Sequence, residues 1–341
     1  MFKRIGIVGA GAIGGNIGGM LTLAGYDVTL VDMWPENVEA IRHNGLKITR
    51  PQDELTAPAR AIHIHELQYI EQPFDVAFIA VKSYDTEWAT ALILPYLTPG
   101  APVLSVQNAI NDDRVAAVAG RERTVGCITT IGAGCYEPGH VVRTDSYPLG
   151  FKIGELDGSE TERAQEITAL MGHVADAKLT TNLWGERWSK LGVNCMTNSL
   201  AGLTGYGTAQ VRTIPEVRRV AVQIGAETFR VAAKLGMEVG LVYGAESSLY
   251  IDAAEGRRVE ELELVMMGQA NGAGNGKPSL LQDVLKGRRT EIDYLNGYVA
   301  EKGRETGIPT PFNNCVVEIF HRLGIGFKPD PRHIEPLVAM V

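Results

Sequence analysis

Cysteine is scarce in this chain: four in 341 residues, at Cys127, Cys135, Cys195 and Cys315, with no Cys-x-x-Cys pair and no histidine at ligand spacing. That excludes a disulfide framework and a thiolate metal site, and it leaves four reduced, mostly packed thiols. Long apolar runs are missing too. The hydrophobic segments are interrupted by glycine or charge, so none approaches the roughly 20 residues a bilayer span needs, and no membrane partner is expected. The start MFKRIGIVGAG enters a strand at once, with no signal peptide ahead of it, and the expected location is the cytoplasm. Dense basic tracts are also absent: 32 Lys and Arg against 40 Asp and Glu give a formal charge of −8. Such a balance argues against nucleic acid and favours a small-molecule partner. What remains is ordinary globular composition, 45% hydrophobic and 21% charged, in a chain long enough for two domains and free of internal repeats.

Residues 4 to 20, RIGIVGAGAIGGNIGGM, join a short β-branched run to Gly9, Gly11 and Gly14 in G-x-G-x-x-G spacing. In that arrangement the glycines permit a tight turn and close approach to a pyrophosphate. The first helical turn, with Ala12, Ile13 and Gly14, offers its amides to the anion. A plain tight turn would use the same glycines, but a second strand, YDVTLVD, follows at the right distance and ends in Asp32. A carboxylate there accepts from adenosine ribose hydroxyls. Two further buried parallel strands are expected, FDVAFIAV stopping at Lys82 and APVLSVQ stopping at Asn108. Ligands of open α/β sheets bind at such carboxyl ends, so Lys82 and Asn108 are candidates for cofactor or substrate contact. TVGCITTIGAGCYEPGHVVRT reads as more strands closing the sheet, and His63 and His65 alternate as on an exposed strand face.

From about Leu183 the periodicity becomes helical. The expected organisation is a Rossmann-type α/β nucleotide-binding domain at 1–182, then an all-α domain at 183–341 for substrate binding and dimerisation. Helices are read in LWGERWSKLGVNCMTNSLAGL, PEVRRVAVQIGAETFRVAAKLGM, AAEGRRVEELELVMMGQA and SLLQDVLKGRRTEIDYLNGYVAEKGRETG, with a last one in FNNCVVEIFHRLG. NGAGNGKPS (271–279) reads as a loop, and Ser279 as a helix N-cap. The first of these helices is apolar almost all round, except that Lys190, Asn194 and Asn198 fall at about 0°, 40° and 80°, one narrow polar face. One amine and two amides suit hydride transfer to a ketone, which needs a positioned proton donor and neutral groups that hold the substrate without competing for the proton. A snorkelling lysine with two packed asparagines is the structural alternative.

The blocks GAGAIGG, VKSYDT, SVQNAIND, WSKLGVNCMTNSLAGLTG and above all PSLLQDVLKGRRTEIDYLNGYV resemble the ketopantoate reductase family, over nearly the whole chain. The resemblance implies a Rossmann domain joined to a helical one and NADPH-dependent reduction of a 2-oxo acid in the cleft. It implies Lys190 as general acid, Asn194 and Asn198 as substrate-holding amides, Ser279 as a substrate carboxylate contact and Glu291 as the cleft carboxylate. It also matches Lys82 and Asn108 to cofactor and active-site positions. Two features depart from the family. Where NADPH-using members carry a basic residue past the second strand, this chain has Asp32, Met33 and Trp34, so NAD(H) is the physical expectation and NADP(H) the expectation from resemblance. Residues 237–278 are longer than the matching stretch in shorter members, just before Ser279. Together these point to a sister dehydrogenase oxidising another small hydroxy acid as the alternative. A β-hydroxyacid dehydrogenase and a non-catalytic dinucleotide sensor are further readings, and the convergence of Lys190, Asn194, Asn198, Ser279 and Glu291 is what separates an enzyme from a sensor.

Overall fold

Strand and helix alternate from the first residues of the computed structural model, which describes residues 2–145, 149–268 and 277–341. Two units result, Met1–Leu183 and Trp184–Val341. The first contains β1 (Arg4–Val8), α1 (Ala12–Leu23), β2 (Asp27–Asp32), α2 (Pro35–Asn44), β3 (Leu46–Arg50), β4 (Asp53–Ala57), β5 (Arg60–His63) and β6 (Val76–Ile79). After these come α3 (Thr86–Ile93), β7 (Val103–Ser105), α4 (Asp112–Ala119), β8 (Thr124–Thr129), β9 (Ala133–Glu137), β10 (His140–Arg143), β11 (Leu149–Glu155), α5 (Glu162–Met171) and β12 (Asp176–Leu179). Eight strands form one sheet in the order β12-β11-β8-β7-β6-β1-β2-β5. All its pairings are parallel except β11 against β8. Because helices cover both faces, β6 is buried at every residue, which explains its unbroken apolar run.

The expectation that residues 124–144 all close this sheet is corrected. Only β8 joins it, whereas β9 and β10 pair with β3 and β4 in a separate four-stranded sheet, β4-β3-β10-β9. The reason lies in α1. A Cβ on Gly18 would meet Leu30 of the large sheet at 2.6 Å, and one on Gly19 would meet Ile48 of the small sheet at 2.5 Å. Gly15 likewise faces Val141 at 2.9 Å. The helix is thus clasped on two sides, and its second apolar side needs a cover of its own. The histidine expectation also changes. His65 lies in a 3₁₀ turn, Ile64–Tyr69, and its ring stacks on His63 at 5.6 Å instead of alternating with it.

The second unit is helical: α6 (Leu183–Thr204, beginning at the last residue of the first unit), α7 (Thr208–Thr213), α8 (Pro215–Lys234), α9 (Ser247–Ala254), α10 (Val259–Gly268), α11 (Ser279–Leu285), α12 (Asn296–Thr306), α13 (Pro311–Leu323) and α14 (Glu335–Val338). Two helices expected to be continuous are broken. Positive φ at Gly256 (79°) and Arg258 (51°) separates α9 from α10, and a 3₁₀ turn at Ile292–Tyr294 precedes α12. Ser279 is the first helical residue of α11 and not its N-cap, which is Pro278. Of the expected 271–279 loop, residues 271–276 lie outside the described residues.

Helices α6 and α8 pack through glycine on both sides. A Cβ on Gly192 would overlap the Phe229 ring, and one on Gly225 would meet Met196 Sδ at 2.5 Å. On the helical wheel Gly192, Cys195 and Met196 lie roughly opposite Lys190 and Asn194, so the polar face of α6 is directed away from α8. Beneath them Glu227, 3% exposed, accepts from the amides of Phe312 (2.8 Å) and Asn313 (2.9 Å) and from Asn313 Nδ2 (2.7 Å), capping α13 from a neighbouring helix. Burial pushes its carboxyl above the usual carboxylate range, although those three donors pull the other way.

Candidate active site

In the first unit the glycine turn has the form an anion cradle requires. Gly9 has φ 100°, and its Cβ would strike the Ala80 carbonyl carbon at 2.8 Å, while a Cβ on Gly14 would overlap the Gly9 carbonyl oxygen. Above Gly11, the N-cap of α1, nothing lies within 4 Å of the Cβ position. Strand and helix therefore press together on one side, and the first-turn amides of Ala12, Ile13 and Gly14 are the donors that could hold a phosphate there. Asp32 ends β2 and is 9% exposed. Its carboxylate accepts from the Ala10 amide in the glycine turn and from the Trp34 amide at 2.8 Å, so it braces the turn.

Lys82 and Asn108 lie just past their strands, which end three residues earlier than expected, at Ile79 and Ser105. Their loops are stitched together by amides that the sequence reading passed over. Gln107 Nε2 donates to the Val81 carbonyl (2.8 Å) and to Thr86 Oγ1 (2.9 Å); Asn111 Nδ2 donates to Ser83 Oγ (3.0 Å) and to the Asn108 carbonyl (2.9 Å). Between them Ala109 adopts φ 64°, a left-handed backbone unusual for a residue with a Cβ. The signal available in the sequence was the run of three amides in SVQNAIND, of which only one was singled out.

In the second unit α6 carries Lys190, part-exposed, and Asn194 and Asn198, 7% and 8% exposed. Asn198 Nδ2 donates to Ser279 Oγ at 3.4 Å, which brings α11 against the polar face. Glu291, 3% exposed, sits directly before the 3₁₀ turn. Asn194 Nδ2 is buried and finds no acceptor among the described residues. A buried amide donor left unpaired costs free energy, so a ligand that accepts from it gains what the empty fold forgoes. Among the described residues no group of His, Cys, Asp and Glu is placed to hold a metal ion, and no helix is long and apolar enough to cross a membrane. All four cysteines are unbridged.

The profile described as Ketopantoate reductase PanE/ApbA matches residues 5–158, and the corresponding C-terminal profile matches residues 182–324. The chain belongs to the ketopantoate reductase family. It is 29% identical over 324 residues to the 2-dehydropantoate 2-reductase of Archaeoglobus fulgidus, covering 93% of this chain and 96% of that protein. With the Pyrococcus abyssi enzyme of the same name it shares 30% over 313 residues, 91% and 94% of the two chains. Among solved structures it is similar to D-mandelate dehydrogenase with NADH and anilino(oxo)acetate, with a TM-score of 0.81, 25% identity and coverage of 94% and 97%. It is likewise similar to the PanE/ApbA family ketopantoate reductase from Ralstonia eutropha JMP134, with a TM-score of 0.75, 26% identity and coverage of 93% and 96%. As a member of this family the protein is an NAD(P)-dependent oxidoreductase acting on a CH–OH group.

Proposed function

We propose that this protein exchanges a hydride between NAD(H) and a small 2-oxo or 2-hydroxy acid, 2-dehydropantoate or a close analogue, with Lys190 as general acid and base. The observation that carries the proposal is the buried, unpaired amide of Asn194 on the same helix face as Lys190 and Asn198. The nicotinamide, when bound, supplies the hydride; the chain supplies position and the proton. Asn194, Asn198 and Ser279 hold the acid by neutral hydrogen bonds. Lys190 Nζ gives its proton to the oxygen that becomes the hydroxyl, and takes it back in the oxidative direction. Glu291 is the proposed carboxylate partner of Lys190. On the cofactor side the glycine turn and Lys82 hold the dinucleotide.

NAD(H) is the proposed cofactor because Asp32 ends β2 and the nearby Arg42 is committed elsewhere. Its Nε donates to the Ala61 carbonyl at 2.9 Å and its other nitrogens pair with Glu39 and Glu66. A 2′-phosphate would face the Asp32 carboxylate without a guanidinium to meet it. The same feature supports, as a second reading, a sister dehydrogenase working in the oxidative direction on another small hydroxy acid. A homodimer is also proposed.

The experiment is Lys190→Ala assayed with a panel of 2-oxo acids at the nicotinamide absorbance band. Turnover falls by about 10²–10⁴-fold, NADH affinity stays nearly constant, and the alkaline limb of the pH profile disappears. Near-full activity in the variant removes Lys190 from the chemistry.

A further inference from the structure

The segment between α8 and α9 holds a backbone feature that the proposed chemistry does not use. Val242 and Ala245 exchange both backbone hydrogen bonds, at 2.8 and 3.0 Å, so Tyr243 and Gly244 form a two-residue hairpin turn. Both have positive φ, 51° at Tyr243 and 83° at Gly244, as type I′ turns require. Glycine enters that region freely. The first position of such a turn normally belongs to Asn, Asp or Gly, and a bulky aromatic there works against its own backbone preference. Strain of this kind persists where the side chain has a task that the surroundings enforce.

The task is legible in what the ring touches. Tyr243 Oη lies 2.7 Å from Thr197 Oγ1 on α6, and Arg212, 3% exposed, holds its guanidinium carbon 4.5 Å from the ring centroid. Thr197 stands one turn beyond Asn194 and next to Asn198, at the edge of the polar face and about 10 Å along the axis from Lys190. Ser279 approaches the same end through Asn198. The hairpin thus delivers a phenol to the end of the polar face remote from the proposed proton donor, while Arg212 fixes the plane of the ring.

We propose that Tyr243 determines which substituent the 2-oxo acid carries. With the oxo carbon at Lys190 and the carboxylate turned to Asn198 and Ser279, the substituent of the acid extends toward Thr197. There the phenol hydroxyl, which both donates and accepts, favours a hydrogen-bonding substituent, and the ring excludes a large flat one. This inference rests on the reading of α6 as the substrate-binding helix. Sequence alone could not raise it, since neither the positive φ nor the approach to Thr197 is visible before folding.

The test compares kcat/KM for three acids: 2-dehydropantoate, 3,3-dimethyl-2-oxobutanoate, which lacks only its hydroxyl, and phenylglyoxylate. Tyr243→Phe is expected to shrink the preference for the hydroxylated acid over its deoxy analogue about tenfold. Tyr243→Asn places the favoured Asn-Gly pair in the turn, so its Tm holds or rises, while the relative rate on phenylglyoxylate climbs about tenfold. An active wild-type enzyme whose ratios are unchanged in both variants overturns the proposal and leaves the tyrosine a prop of the hairpin. A wild-type protein that reduces none of the three acids with either cofactor overturns the reading beneath it, and the proposal with it.

Discussion

Replacing Asn194 with leucine keeps the branched four-heavy-atom shape, at a larger volume, and removes a buried amide whose Nδ2 has no acceptor among the described residues. An unsatisfied donor of this kind costs about 1–3 kcal/mol, and leucine at a site 7% exposed adds apolar burial in its place. The variant should therefore be more stable by about 1–3 kcal/mol, which for a domain of this size raises Tm by roughly 2–10 °C. Activity should move the other way. If the amide donates to the substrate in the transition state, its loss lowers kcat/KM by about 10–100-fold, with NADH affinity unaltered. Differential scanning fluorimetry and steady-state kinetics on one preparation measure both. A variant that is less stable and fully active would refute the reasoning, because the amide would then be a packing element already satisfied within the fold.

Asp32→Ser should narrow or reverse a preference for NADH over NADPH, by about 1–3 kcal/mol in binding; equal affinities in the unmodified protein would remove the basis for the NAD(H) proposal. Gly14→Ala should abolish NADH binding and lower Tm sharply, since its methyl would overlap a backbone oxygen, whereas Gly18→Ala meets side-chain atoms of Leu30 and Ile7 and no backbone, and should cost about 1–3 kcal/mol. Calorimetric titration with NADH separates the two, and equal losses would contradict the packing described for α1. Glu227 has its carboxyl raised by burial, so the fold binds a proton more tightly there than the unfolded chain does. Its contribution to stability is complete below the ordinary glutamate range and declines as pH climbs through the raised folded value. The stability gap between the wild type and Glu227→Gln should accordingly narrow over that window in urea titrations; a gap that widens with pH would show that the ionised carboxylate is what holds α13.

What the sequence disclosed and what it withheld divide by distance along the chain. The glycine turn, Asp32 and the polar face of α6 are local patterns, each contained within about one helix or one strand-turn-helix unit, and their geometry follows from fixed periods. The small sheet was not legible because β3 and β10 lie far apart in sequence, and nothing local in either says that it pairs outside the main sheet. Strand ends at Lys82 and Asn108 were placed too late, since apolar residues continue past the last ladder hydrogen bond into the loop. The Gln107 and Asn111 stitches were missed because an amide in a turn has a local explanation that hides a long-range one. The sequence predicts continuous helices at 253–270 and 279–307 because periodicity survives a break when the flanking segments pack on one core.

The helix α1 carries four glycines in twelve residues, each costing about 0.5–1 kcal/mol relative to alanine in helix formation. Such a segment has little helicity of its own. In the folded unit Leu30, Ile48 and Val141 fill the spaces its missing side chains leave, so its order is expected to depend on all three. On a ribosome, more than a hundred residues must emerge after the glycine turn before the last of these can pack. The glycine turn, though first in the sequence, is therefore expected among the late parts of its unit to consolidate. NADH added during refolding should then accelerate the final step and not the initial collapse.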